Sequence, residues 1–146
     1  MYIIVLIKMT AKKWTDQSVM ALLNEARKVG YEAGQAKLKE LCEAQGKTPT
    51  YIHPIYGMCA SMLDLCGYSN FIIEAKGLFY KIAKRLSETN SNRIYCRRAY
   101  GGGGSLSIFD MSNRQEFAIN KACYDEARKV LENAGINIKY IHTWID

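Results

Sequence analysis

Apolar side chains recur at helical spacing along the first third of the chain: Val19, Leu22, Leu23, Ala26, Val29, Ala33, Ala36, Leu38 and Leu41. Thr15 or Asp16 stands before this run as an N-cap, and Gly46 followed by Pro49 ends it. One long helix is therefore expected from that cap to near Gly46. Gly30 and Gly34 interrupt it, at a cost of about 1 kcal/mol each against alanine. They lie one turn apart on one face, which implies a close backbone approach, either within the fold or from another subunit.

Beyond the helix the pattern shortens. Pro54 breaks residues 50–75, "FIIE" reads as a strand, and "CASMLDLC" as a short helix or a buried strand. "KGLFYKIAKRLSE" is an amphipathic helix, with Leu78, Phe79, Ile82, Ala83 and Leu86 inward and Lys81, Lys84 and Arg85 outward. After a polar turn, "RIYCRRAY" alternates: Ile94, Cys96, Arg98 and Tyr100 share one face, and Arg93, Tyr95 and Arg97 the other. "SLSIF" is its hairpin partner across four glycines. Ser112 with Gln115 has the form of a capping box and opens a helix that Gly135 stops. The last strand, "INIKYIHTW", places Ile136, Ile138 and Tyr140 on one face. "YIIVLI" near the start reads as a strand, or as a segment ahead of a natural start at Met9, and residues 1–14 are expected to be peripheral. The order (β)αβαββαβ predicts one α+β domain over residues 1–146, a mainly antiparallel sheet covered by a few helices.

With 49% of its residues hydrophobic, the chain has enough apolar surface for a core, which excludes intrinsic disorder. Its longest apolar run is far below the roughly 20 residues that span a bilayer, so no membrane partner and a cytoplasmic location are expected. Five cysteines without a CxxC pair, and only two histidines, predict free thiols in a reducing compartment, no metal site and no cofactor. The net charge of +6 changes the picture more, because it is local: residues 76–98 hold seven basic residues against one acid and carry all of it. A clustered field of this kind attracts anions.

The glycine tract lies within that field's reach. A two-residue hairpin turn needs one or two glycines, not four. Either the tip is simply loose, or it meets another subunit, or bare backbone there lets a phosphate come close, as at glycine-rich loops. The spacing matches neither a dinucleotide fingerprint nor a P-loop. Arg97, Arg98 and Tyr100 precede the tract, Gly102 and Gly103 lie in it, and Asn113 and Arg114 follow the second strand beside an expected helix start. With Arg128 these are the candidate ligand residues: arginines for phosphate, a tyrosine face for a base. No catalytic constellation emerges. Asp64, Glu74, Asp110 and Glu116 are scattered, and His53 and His142 read as structural.

"LNEARKVGYEAGQAKLKEL", "SMLDLCGY", "RAYGGG" and "SIFDMSNRQE" resemble the anti-Thoeris sponge proteins of phages, the first Thoeris anti-defence type. The likeness covers most of residues 20–146. It implies an α+β homo-oligomer without enzymatic activity, acting in the cytoplasm of an infected bacterium. Such proteins sequester cyclic ADP-ribose isomers made by TIR enzymes, and some hold cyclic oligonucleotides. They stack an aromatic side chain on adenine and set arginines on the diphosphate. A small nucleotide second messenger is thus the expected partner. The other classes compatible with the residues are a single-stranded nucleic-acid binder and a nucleotide hydrolase or transferase.

Overall fold

The computed structural model describes residues 13–145. The expected strand at residues 2–7 lies outside them. Helix α1, Asp16–Gln45, starts at a reciprocal cap: the Ser18 N–H donates to the Thr15 hydroxyl at 3.1 Å, and the Thr15 N–H to the Ser18 hydroxyl at 2.9 Å. It ends at Gly46, left-handed at φ 63°. Its buried stripe of Val19, Leu23, Ala26, Gly30, Gly34 and Cys42 faces α3, Phe117–Asn133. A Cβ on Gly30 would strike the Met111 sulfur, and one on Gly34 would stand 2.5 Å from the Cys123 sulfur. The two glycines therefore serve close packing of α1 on α3 inside the chain, not a subunit contact.

Strands β1 (Thr50–His53) and β2 (Gly57–Ala60) form a separate antiparallel hairpin. The remaining strands make one antiparallel sheet in the order β4-β5-β3-β6: Ile94–Arg98, Gly104–Ile108, Gly67–Ile73 and Ile138–Ile145. Phe71, Ile73, Leu106, Ile108, Cys96 and Ile138 point from one face into a core shared with α1, α3 and α2, Leu78–Leu86. The fold is α+β, as the pattern predicts. No helix among the described residues is long and apolar enough to cross a membrane.

Four local expectations are overturned. The stretch 59–66 is neither a helix nor a buried strand: β2 ends at Ala60, Met62 and Leu65 are exposed, and the rest is irregular apart from an isolated bridge at Cys66. In α2, Leu78 is half-exposed and Tyr80 takes the buried place. Ser112 caps no helix. Its hydroxyl accepts the Arg114 N–H in a local turn at 3.2 Å, and α3 starts only at Phe117, because Arg114 and Glu116 are tied down sideways. Tyr140 does not share a face with Ile138, since a bulge opposite Ile72 and Ile73 shifts the alternation. Residue Trp14, expected to be peripheral, packs edge-on against Phe79 with ring centroids 5.3 Å apart.

Candidate functional site

Among the described residues all three helices lie on one face of the sheet, so the pleat leaves the alternate side chains on the other, here called the open face. Register fixes which they are. Arg97, Ser105, Ile72 and Tyr140 form one row across the four strands, since Arg97 faces Ser105, Ser105 faces Ile72, and Ile72 faces Tyr140. Tyr95 faces Ser107, Asn70 faces His142, and Tyr68 faces Trp144. The middle of this face carries the small polar groups Ser105, Ser107 and Asn70 beside the buried side chain of Ile72. Its two edges carry larger side chains, Tyr95 and Arg97 on β4, and Tyr140, His142 and Trp144 on β6. The result is a shallow trough, about 14 Å wide from three strand spacings.

The edges are aromatic and partly exposed. Tyr68 and Trp144 have ring centroids 5.7 Å apart, and His142 and Trp144 5.1 Å. The Arg97 guanidinium lies 5.9 Å from the Tyr95 ring centroid. No acidic side chain shares this face among the described strand residues. Asn70 is nine-tenths buried, and only one polar atom of its amide bonds a protein group, the Ser105 hydroxyl. In either amide orientation the other is left without a protein partner, a costly state for a buried polar atom. The trough thus combines π faces, a guanidinium and a buried polar atom without a partner, which together suit a flat, anionic, hydrogen-bonding ligand.

The sequence-predicted residues do not form one cluster. Arg97 lies on the open face. Arg98, beside it in β4, points to the helix side at the strand's end. Tyr100 stands fully exposed at the hairpin tip. Gly102 and Gly103, with φ of 100° and 76°, turn the chain there. The tip is closed on itself: the Ala99 N–H donates to the Gly103 carbonyl at 2.8 Å and the Gly102 N–H to the Ala99 carbonyl at 3.2 Å. A Cβ on Gly103 would come within 2.9 Å of the Ile73 carbonyl, and one on Gly104 within 2.6 Å of the Tyr80 ring. Turn geometry and packing thus account for three of the four glycines without a ligand.

Asn113 and Arg114 follow the opposite end of β5, so the sheet separates them from the tip. Asn113 is exposed. Arg114 is a structural clamp: it donates to both oxygens of the buried Glu116 and to the carbonyls of Pro49 and Ser61. With its donors so engaged it is not free to hold a ligand. Arg128 lies on α3, in the helix layer, where it pairs with Glu132 at 3.3 Å and approaches the Ile138 carbonyl.

Five residues of the trough escaped the sequence reading: Tyr68, Asn70, Tyr140, His142 and Trp144. Each sits in an alternating strand, but only the order β4-β5-β3-β6 brings them opposite Arg97. Lys139 is a sixth neighbour, its ammonium 3.7 Å from where a Cβ on Gly103 would stand. The expected structural role fits His53, whose Nδ1 accepts the N–H groups of Ile55 and Tyr56 in the β1–β2 turn. The cysteine thiols that burial displaces furthest are in the core, Cys96 pushed up to about 12 and Cys123 to about 11. Neither reaches the trough. No family model, curated protein or solved structure matches the chain.

Proposed function

We propose that the protein is a binding module that holds a small phosphorylated nucleotide on the open face of its sheet and releases it unchanged. The observation that carries this reading is Arg97, placed on the same face as Tyr95, Tyr140, His142 and Trp144, with no carboxylate among them. An arginine fork suits a phosphate or diphosphate, and the aromatic edges suit a base. The trough strands bring no acid to move protons, and the nearby carboxylates are engaged, Asp110 by Arg93 and Glu116 by Arg114. This is the role of the anti-Thoeris sponges that the chain resembles: sequestration of a cyclic ADP-ribose isomer in the cytoplasm of an infected cell.

A nucleic-acid strand fits less well. The basic window is divided between layers: Lys81, Lys84 and Arg85 lie on α2, on the helix side, and Arg97 on the open face. The window therefore supplies no single basic track for a polyanion. The exposed β1–β2 hairpin offers a surface for the homo-oligomer that the resemblance implies. Ile52, Ile55, Tyr56 and Met58 are at least 70% exposed there, and no charged residue falls between Thr48 and Leu63. Copies that each carry +6 meet with least repulsion along an uncharged arm.

Calorimetry with cyclic ADP-ribose and with an oligothymidylate, each at two salt concentrations, tests the reading. The expected result is saturable binding of the dinucleotide with a weak salt dependence, and its recovery intact after heat denaturation of the protein. Tight binding of the oligonucleotide alone, falling steeply with salt, would assign a polyanion instead. A cleaved ligand would make the protein an enzyme.

A further inference from the structure

Strands β3 and β5 pair only between Phe71–Ile73 and Gly104–Leu106. Beyond that ladder they part. Ser107 and Ile108 stay with β4, while Gly67 to Asn70 stay with β6. A cleft of about 360 Å³ opens between the diverging strands. Tyr68 and Trp144 line it from the open face, and Asn120 and Tyr124 of α3 close it from the helix side.

Its chemistry is specific. Ser69 lines the cleft, is nine-tenths buried, and has a hydroxyl with no protein partner. A buried hydroxyl left in that state costs stability unless something else bonds it. The other polar groups of the lining, the hydroxyls of Ser107, Ser112 and Tyr124 and the amide of Asn120, are neutral. Burial pushes the Tyr124 hydroxyl up to about 12, so it remains protonated at working pH. The two charges of the lining, Arg93 and Asp110, pair with each other at 2.9 and 3.1 Å. A phosphate would lose its hydration here without gaining an unpaired cation, which excludes the charged end of a nucleotide.

We propose that this cleft takes the uncharged heteroaromatic base of the ligand, stacked on the Tyr68–Trp144 edge with its polar atoms toward the Ser69 and Tyr124 hydroxyls. The inference rests on the reading of the open face as a nucleotide site, and it adds a direction to that site. Ser107, in the cleft wall, faces Tyr95, and Arg97 lies two residues further along the same face, about 7 Å away. A ribose bridges a base in the cleft to a phosphate on Arg97.

Calorimetry on the full chain with adenosine, guanosine, cytidine, uridine and ribose 5-phosphate separates the two ends. At least one nucleoside is expected to bind, five- to tenfold more weakly in Ser69→Ala, a variant that removes an unbonded hydroxyl and keeps the melting temperature. Tyr124→Phe should weaken the same nucleoside. Ribose 5-phosphate should respond to Arg97→Ala and ignore Ser69→Ala. Binding of cyclic ADP-ribose that is unaffected by Ser69→Ala, with no nucleoside bound, would overturn the cleft and leave the open-face reading standing. Absence of binding by every one of these compounds, cyclic ADP-ribose included, would overturn both.

Discussion

Arg114 and Glu116 meet in a two-pronged ion pair, Nε to Oε1 at 3.0 Å and Nη2 to Oε2 at 2.7 Å, with 10% and 3% of their side chains exposed. The same guanidinium reaches the Pro49 and Ser61 carbonyls, at the two ends of the β1–β2 hairpin. One side chain thus fastens the exposed arm to the body of the fold. Arg114→Ala would leave a buried carboxylate and two carbonyls without their donor. Loss of one partner of a buried pair costs about 3–5 kcal/mol. Thermal melting should show a fall of about 10 °C or more. The double variant Arg114→Met/Glu116→Leu should melt above Arg114→Ala. A near-wild-type melt for Arg114→Ala would make the pair dispensable.

The pair also sets an acid limit. Burial alone would raise the Glu116 carboxyl. The hydrogen bonds from Arg114 and from backbone N–H groups, with the Arg114 charge, outweigh it and hold the group below its ordinary range. A carboxyl lowered in the folded state stabilises that state above the unfolded value, about 4.3, and the gain is lost as pH falls through the lowered folded value. Melting temperature should therefore drop below about pH 4, and Glu116→Gln should flatten that acid limb. An unchanged limb in Glu116→Gln would move the acid response to other carboxylates.

The glycines separate by what surrounds them. Gly34→Leu should destabilise the chain without changing its mass in light scattering, because its side chain would drive into Cys123 and Ile119 of α3. A fall in mass with normal melting would assign that face to a subunit contact. At the hairpin tip, Gly102 has open space and a φ of 100°, so alanine there meets backbone strain alone, roughly 1–2 kcal/mol. Gly103→Ala adds a collision with the Ile73 carbonyl and should melt lower than Gly102→Ala. Equal melting of the two variants would remove the packing argument.

Ile52 and Met58 face each other in register on the arm, both exposed. If copies associate through it, Ile52→Lys with Met58→Lys should reduce the mass measured by light scattering to that of one chain, with melting little changed. An oligomer that survives both substitutions would place the contact elsewhere.

Much of the architecture is legible along the chain because it is local. The Thr15 cap, the Gly46 stop and the alternation of β4 each follow from neighbouring residues, and Arg97 and Arg98 are correctly assigned to opposite faces. The failures arise where distant groups override local pattern. Ser112 and Gln115 have the form of a helix start, but the clamp through Arg114 to Pro49 and Ser61 holds the segment in a turn. Tyr140 changes sides through a bulge that only pairing with β3 reveals. Residues 59–66 read as a short helix or a buried strand because hydropathy is blind to where the chain leaves the core, and Met62 and Leu65 stand exposed there. The site suffers most. Tyr68 and Trp144 are 76 positions apart and become neighbours only through strand order. Arg114 is attractive near a predicted helix start, yet its side chain is already in use.

The central claim is that ligand sits on the open face beside Arg97 and Trp144. The chain has two tryptophans, and Trp14 packs against Phe79 in the helix layer, so Trp14→Phe leaves Trp144 as the sole reporter. Titration of that variant with cyclic ADP-ribose, followed by tryptophan emission, is the most direct measurement. Emission should change saturably, Arg97→Ala should weaken binding about 10- to 150-fold through loss of a charge-assisted contact of roughly 1.5–3 kcal/mol, and Arg98→Ala should have little effect. Binding that leaves Trp144 emission unchanged and is indifferent to Arg97→Ala would contradict the account and place the ligand off this face.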